Sequence, residues 1–223
     1  MSFKLFIQAI IKFLLGLVIV GALIFGPAGT FNYLQAWLLI GALFIPMFIA
    51  GIIMMIKNPD LLKKRLNAKE KQNEQKVVLV LCALMFVSAF VMAGLNHRFG
   101  WINMPLWVSY IALGLFLISY LLYGEVSREN VYLARTVEVQ ENQKLIDTGL
   151  YGIVRHPMYM ATLVLFLSMP IILGSIISFA IMMFYIPIIA FRIKNEEKVL
   201  EEGLEGYSEY KKRVKYKVIP FIW

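Results

Sequence analysis

Four long, predominantly apolar runs, residues 6–25, 36–56, 77–95 and 105–123, decide what this chain can fold into. Each is about 20 residues long, the length that carries a helix across the hydrocarbon core of a bilayer. Lipid offers the backbone no water to bond, so segments of this kind must satisfy their own amides as helices. A fifth apolar stretch, 158–191, is too long for one ordinary span and is broken by "LGS" at 173–175. That pattern predicts a tight helical hairpin whose short arms carry Pro170 and Pro187, prolines that lipid tolerates only where neighbouring groups satisfy the freed carbonyls. Composition agrees, with 60% hydrophobic and 16% charged residues and a mean hydropathy of +0.73. The expected fold is all-α: a polytopic membrane helix bundle of about five to six transmembrane segments, including a C-terminal helical hairpin. The first run is longer than the apolar region of a signal peptide and lacks a small-x-small cleavage site, so it is expected to remain as a span.

The charges predict the orientation. Of the 22 lysines and arginines only Arg98 falls on the far side of such a bundle, and all 14 acidic residues fall on the near side. The positive-inside rule then puts both termini, the 57–76 loop and the 123–157 loop in the cytoplasm. Almost every group capable of polar chemistry lies on that face, so an active site is expected there; in a bacterium the membrane would be the plasma membrane. The net charge of +8 is what this topology and an anionic leaflet require, and nucleic acid is not an expected partner. The lone Cys82 excludes an intrachain disulfide and a thiolate zinc site. His97 has no second histidine nearby and is expected at the surface, so no metal site is expected. Phosphate-loop, dinucleotide-turn, zinc-helix and nucleophile-elbow motifs are absent from the sequence. The chain divides into N-terminal transmembrane helices, 1–123, and a site-bearing region with the hairpin and tail, 124–223.

Two clusters carry the remaining chemistry. In "GLYGIVRHPMY", residues 149–159, Pro157 suits the first turn of a helix. Arg155 and His156 precede it, and an ordinary basic anchor would look the same. In "RIKNEEKVLEE", residues 192–202, Arg192 and Glu196 are four apart and share a helix face. There they can pair with each other or jointly grip a zwitterionic ligand; Glu197 points about 100° further round. An ionisable residue such as Arg192, directly after an apolar run, is costly unless it faces protein or a water-filled cavity.

Taken in order, "QKLIDTGLYGIVRHPMY", a hydrophobic hairpin, "RIKNEEKVL" and "GYSEYKKRVKYKVIP" resemble the isoprenylcysteine carboxyl methyltransferase family and its relatives, the integral-membrane phospholipid methyltransferases. The resemblance covers residues 143–220. It implies an S-adenosylmethionine-dependent methyltransferase with its cofactor pocket at the cytoplasmic membrane face. By this resemblance Lys144, Leu145, Ile146, Tyr151, His156, Pro157, Met158, Tyr159, Glu196 and Glu197 would surround the cofactor, and Arg192, with Glu196, would serve catalysis by facing the methyl acceptor. Gln143 departs from the histidine often found in the family, and the acidic run here is only Glu196-Glu197.

The residue types suit that cofactor: a carboxylate for its ammonium, aromatic faces for its sulfonium and adenine, and histidine for its carboxylate or ribose. The implied partners are the bilayer and a lipid or lipid-linked acceptor, with O-methylation of an isoprenylcysteine-like carboxylate leading. A carboxylate acceptor needs no base and can be oriented by Arg192. A phospholipid amine would need one, with Glu197 or Tyr159 as candidates. An NADPH-dependent reductase of the sterol-reductase type is the enzymatic alternative, since such enzymes carry a similar Arg-His-Pro-x-Tyr element. A small membrane scaffold or transporter is the non-enzymatic one, and it predicts that Arg155, His156 and Glu196 can be replaced without loss of activity.

Overall fold

The computed structural model describes residues 3–57, 59–66, 73–133, 137 and 139–223. Among these the chain is helical without strands: α1 (Phe3–Ala28), α2 (Leu34–Lys57), α3 (Pro59–Leu66), α4 (Asn73–Phe99), α5 (Leu106–Glu129), α6 (Pro157–Ile172), α7 (Ile176–Met182), α8 (Tyr185–Gly203) and α9 (Tyr207–Arg213), with one 3-10 turn at Gly149–Gly152. Parts of the 57–76 and 123–157 loops lie outside the described residues.

Among the described residues five stretches are long and apolar enough to cross a membrane: Leu5–Ala28, Leu34–Lys57, Gln75–Phe99, Leu106–Glu129 and Ile176–Gly203. The expected sixth is α6, whose 16 residues span about 24 Å, less than the hydrocarbon thickness. The bundle wears its apolar side chains outward as lipid requires, with Val18, Ile45 and Leu121 among the most exposed. Lys12, a charge within the first span, is accommodated because its ammonium donates to Leu66 O of α3 at 2.6 Å.

Close backbone approach and buried hydroxyls hold the helices together where apolar lipid supplies no hydrophobic drive. A Cβ on Gly94 of α4 would lie 2.5 Å from Ile24 O and 3.0 Å from Ala28 N, so only glycine lets α1 come this near. Ser178 Oγ of α7 donates to Ala89 O of α4 at 2.7 Å, and Tyr33 Oη donates to Leu173 O at 2.5 Å. His97, expected at the surface, instead stacks on Tyr33 with ring centroids 3.8 Å apart, a packing role that sequence spacing could not reveal.

The predicted hairpin forms where "LGS" interrupts the apolar stretch. Gly174 takes φ +71, the left-handed conformation that glycine adopts freely, and Ser175 N closes the turn onto Pro170 O at 3.0 Å. Ser175 then caps α7 by accepting from Ser178 N. Pro187 has no N–H for Met183 O, and Ile186 N supplies the bond at 3.1 Å, so α7 and α8 follow one another with only Met183 and Phe184 between. Two helices outrun their apolar runs. The end of α5 brings Glu129 and Asn130 to the site, and the last turns of α8 bring Arg192, Glu196 and Glu197.

Candidate active site

The Arg-His-Pro segment is held by the tail. Arg155 N and His156 N donate to Tyr216 O and Lys217 O at 2.9 and 2.8 Å. The Arg155 guanidinium donates to Val214 O at 2.7 Å and Lys215 O at 2.8 Å. Its Nε donates to Glu197 Oε1 at 2.8 Å, with both side chains about 95% buried. His156 then occupies the position before α6, and Pro157 opens the helix as expected.

Glu197 is the hub of this anchor. Besides Arg155 it accepts from His156 Nε2 at 3.3 Å and pairs with Lys217 Nζ at 3.2 Å. A carboxylate enclosed by these groups has no free face for a ligand. The turn of about 100° from Glu196 sends Glu197, expected beside the cofactor or as a base, into the wall behind the cleft instead of onto its lining. A carboxylate only accepts, so His156 Nε2 must carry the hydrogen. Nδ1 is left facing Glu196 Oε1 at 4.0 Å.

Arg192 and Glu196 share a face as predicted, yet they meet through a third residue. Tyr159 Oη donates to Glu196 Oε2 and accepts from Arg192 Nε at 2.9 Å, while Arg192 Nη1 donates to Gln75 Oε1 of α4 at 3.0 Å. The Tyr159 ring lies against His156, centroids 5.6 Å apart. One phenol in the first turn of α6 thus joins the two clusters.

The loop between α5 and α6 supplies the opposite wall. Glu129 accepts from Thr148 Oγ1 at 2.8 Å and Leu150 N at 3.3 Å. Its carboxylate fills the space a Cβ would take on Gly149, whose φ is +49, which explains the first glycine of "GLYG". Tyr151 is fixed at both ends, its hydroxyl accepting from Asn130 Nδ2 at 2.8 Å and its carbonyl accepting from Tyr210 Oη at 2.7 Å.

These elements enclose a cleft between the 140s loop, the start of α6, α8 and α9. Lys144, Leu145, Ile146 and Tyr151 line it from the loop, and His156, Met158, Tyr159, Arg192 and Glu196 from the helices; Pro157 and Glu197 are not among the lining residues. The structure adds Asn130, Tyr207 and Tyr210 to the lining. The "YxxY" spacing was a sequence signal for the tyrosines, whereas Asn130 carried none. Tyr207 is 3% exposed, and its hydroxyl is buried without a hydrogen-bond partner among the described residues, which is uncommon for a buried donor. Burial raises the phenol pKa of Tyr207 and Tyr210 and pushes Tyr151 up to about 12. These three phenols therefore stay neutral at physiological pH and keep their O–H hydrogens.

A protein-family comparison matches residues 106–205 to the model described as phospholipid methyltransferase. Among characterised proteins, Delta(14)-sterol reductase TM7SF2 of Mus musculus is 28% identical over 91 residues, covering 40% of this chain and 22% of the reductase. The matched stretch is thus under a quarter of that protein's length. From α5 to the end of α8 this chain is thus similar to the phospholipid methyltransferase model, over a stretch that contains its Arg-His-Pro and Glu-Glu segments.

Proposed function

We propose that the cleft binds S-adenosylmethionine and that the protein methylates a lipid or lipid-linked acceptor held among its helices, with an isoprenylcysteine-like carboxylate as the leading acceptor. The observation that carries this reading is the convergence of Glu196 and Arg192 on the Tyr159 hydroxyl. It sets a carboxylate suited to an ammonium beside a guanidinium suited to an oxyanion. The unpartnered Tyr207 hydroxyl supports it as well, since it supplies a buried donor in the same cleft. The same reading treats residues 124–223 as the site-bearing part, 1–123 as its membrane scaffold, and the cytoplasm as the side the cleft opens to, by the positive-inside rule.

When bound, the cofactor supplies an electrophilic methyl group on a sulfonium. Glu196 would hold its ammonium, the tyrosine faces would line its cationic and aromatic parts, and Lys144 to Ile146 would border it from the loop. Arg192 would orient an acceptor oxygen, and exclusion of water by the surrounding helices would strengthen that contact. A carboxylate acceptor has no proton to lose, so no base is needed. An amine acceptor would have to lose one. Glu197 is enclosed by cations and Tyr159 already donates to Glu196, which leaves His156 Nδ1, backed by the Nε2 bond to Glu197, as the group to receive it.

The similarity to the mouse sterol reductase favours one second reading, reduction with a nicotinamide cofactor. Glu196 in the cleft speaks against it, because a carboxylate repels the phosphates of such a cofactor. Membranes carrying the protein, incubated with methyl-labelled S-adenosylmethionine, are expected to yield a labelled lipid or lipidated protein that control membranes lack. Absence of any labelled product contradicts the methyltransferase reading.

A further inference from the structure

We propose that Gln75, in the first turn of α4, contacts the methyl acceptor and helps select it, its side-chain amide donating to an oxygen of the acceptor's head group. The proposal rests on the methyltransferase reading of the cleft. Gln75 is fully buried, far from the cleft in sequence, and belongs to neither motif cluster.

Its orientation follows from its partner. Arg192 Nη1 donates at 3.0 Å, and a guanidinium cannot accept, so the amide oxygen must face Arg192 and Nε2 must point away. That Nε2 is buried and has no hydrogen-bond partner among the described residues. Buried amide N–H groups left unpaired are rare and costly, and a ligand is one thing that satisfies them.

The location suits an amphiphile. Arg192 lines the cleft, so Gln75 stands one side chain behind it. Further along α4 and α8, Cys82, Met85, Ile189 and Ile193 form part of one apolar cluster. Gln75 therefore sits where the polar cleft gives way to hydrocarbon-lined packing, the border at which a lipid's head joins its tail. An N–H donor there selects an oxygen, charged or carbonyl, and offers nothing to an ammonium. Carboxylate and phosphodiester heads share this chemistry. Alkali separates them: a methyl ester releases its label as methanol, and an N-methyl group on a phosphate-bearing head retains it.

The test uses the full chain in nanodiscs, a titrated total lipid extract of the host membrane as acceptor source, and methyl-labelled S-adenosylmethionine. Gln75→Glu keeps an oxygen for Arg192 and replaces the donor with a second oxygen. Gln75→Leu removes both. Each is expected to raise the amount of extract giving half-maximal labelling about tenfold or more, with S-adenosylhomocysteine affinity within twofold of the parent. If Gln75 only seats Arg192, Gln75→Glu does so at least as well and labels like the parent; that result overturns the proposal. Loss of S-adenosylhomocysteine binding in both variants also overturns it, since the amide would then belong to the cofactor cleft. Failure of the parent protein to label any lipid is a different outcome, and it removes the methyltransferase reading together with this one.

Discussion

Glu197→Ala is expected to lower the unfolding free energy by about 3–5 kcal/mol, the usual effect of removing one partner from a buried ion pair. The reason is what remains behind. Arg155, 6% exposed, would keep its bonds to Val214 O and Lys215 O and lose the carboxylate to which its Nε donates. Lys217 would lose its pairing too. The Arg-His-Pro segment and the tail are tied to each other through these groups, so the damage spreads to the tail. For a chain of this size the midpoint of thermal unfolding in detergent should fall by roughly 10 °C, and the tail should become a site of proteolytic nicking. Glu197→Gln retains an acceptor oxygen and should lose clearly less. An unchanged midpoint in Glu197→Ala would show that the buried hub does not anchor the site.

Glu196→Gln should have the opposite signature. This side chain is 25% exposed and accepts a hydrogen bond from Tyr159, which an amide oxygen can also accept. Stability should therefore shift by less than about 1 kcal/mol. What disappears is the negative charge facing the cleft, and a hydrogen bond to a charged group contributes about 1.5–3 kcal/mol. S-adenosylhomocysteine affinity should fall roughly 10- to 100-fold, with the variant folded. Titration calorimetry and a thermal melt on the same sample separate the two carboxylates: one holds the wall together, its neighbour in sequence lines the cleft.

That division shows where sequence reasoning reached and where it stopped. Spans in lipid are legible because length and apolarity alone specify them, and the hairpin is legible because Gly174 and the flanking polar serine break an apolar stretch. Pro157 announces the start of α6 by its missing N–H. The shared face of Arg192 and Glu196 follows from helix periodicity. Periodicity places Glu197 on another face too, but it says nothing about which neighbour waits there; that depends on the tail returning to Arg155 from some 60 residues away. The bridging role of Tyr159 arises in the same way, from packing of α6 on α8. Gln75 reaches Arg192 across 117 positions, and Glu129 shapes Gly149 from 20 residues upstream. Neither carries a local pattern that could have singled it out.

The lower wall of the cleft has a similar history. Asn130 enters because α5 continues past its apolar run into Glu129, so a helix end expected near residue 123 lies further on and delivers a side chain to Tyr151. The Tyr207 hydroxyl is buried and unpartnered only once α9 folds against the loop, a consequence of the tertiary core of Leu204, Tyr207, Tyr210 and Val214. Burial in that core also keeps its phenol protonated.

What the cleft binds separates a methyltransferase from a reductase. Titration calorimetry of the purified, folded protein with S-adenosylhomocysteine, and in parallel with NADPH, decides it. The expected result is one saturable S-adenosylhomocysteine site, weakened in Glu196→Gln, with no heat from NADPH. Saturable NADPH binding without S-adenosylhomocysteine binding would contradict the account and favour the reductase reading.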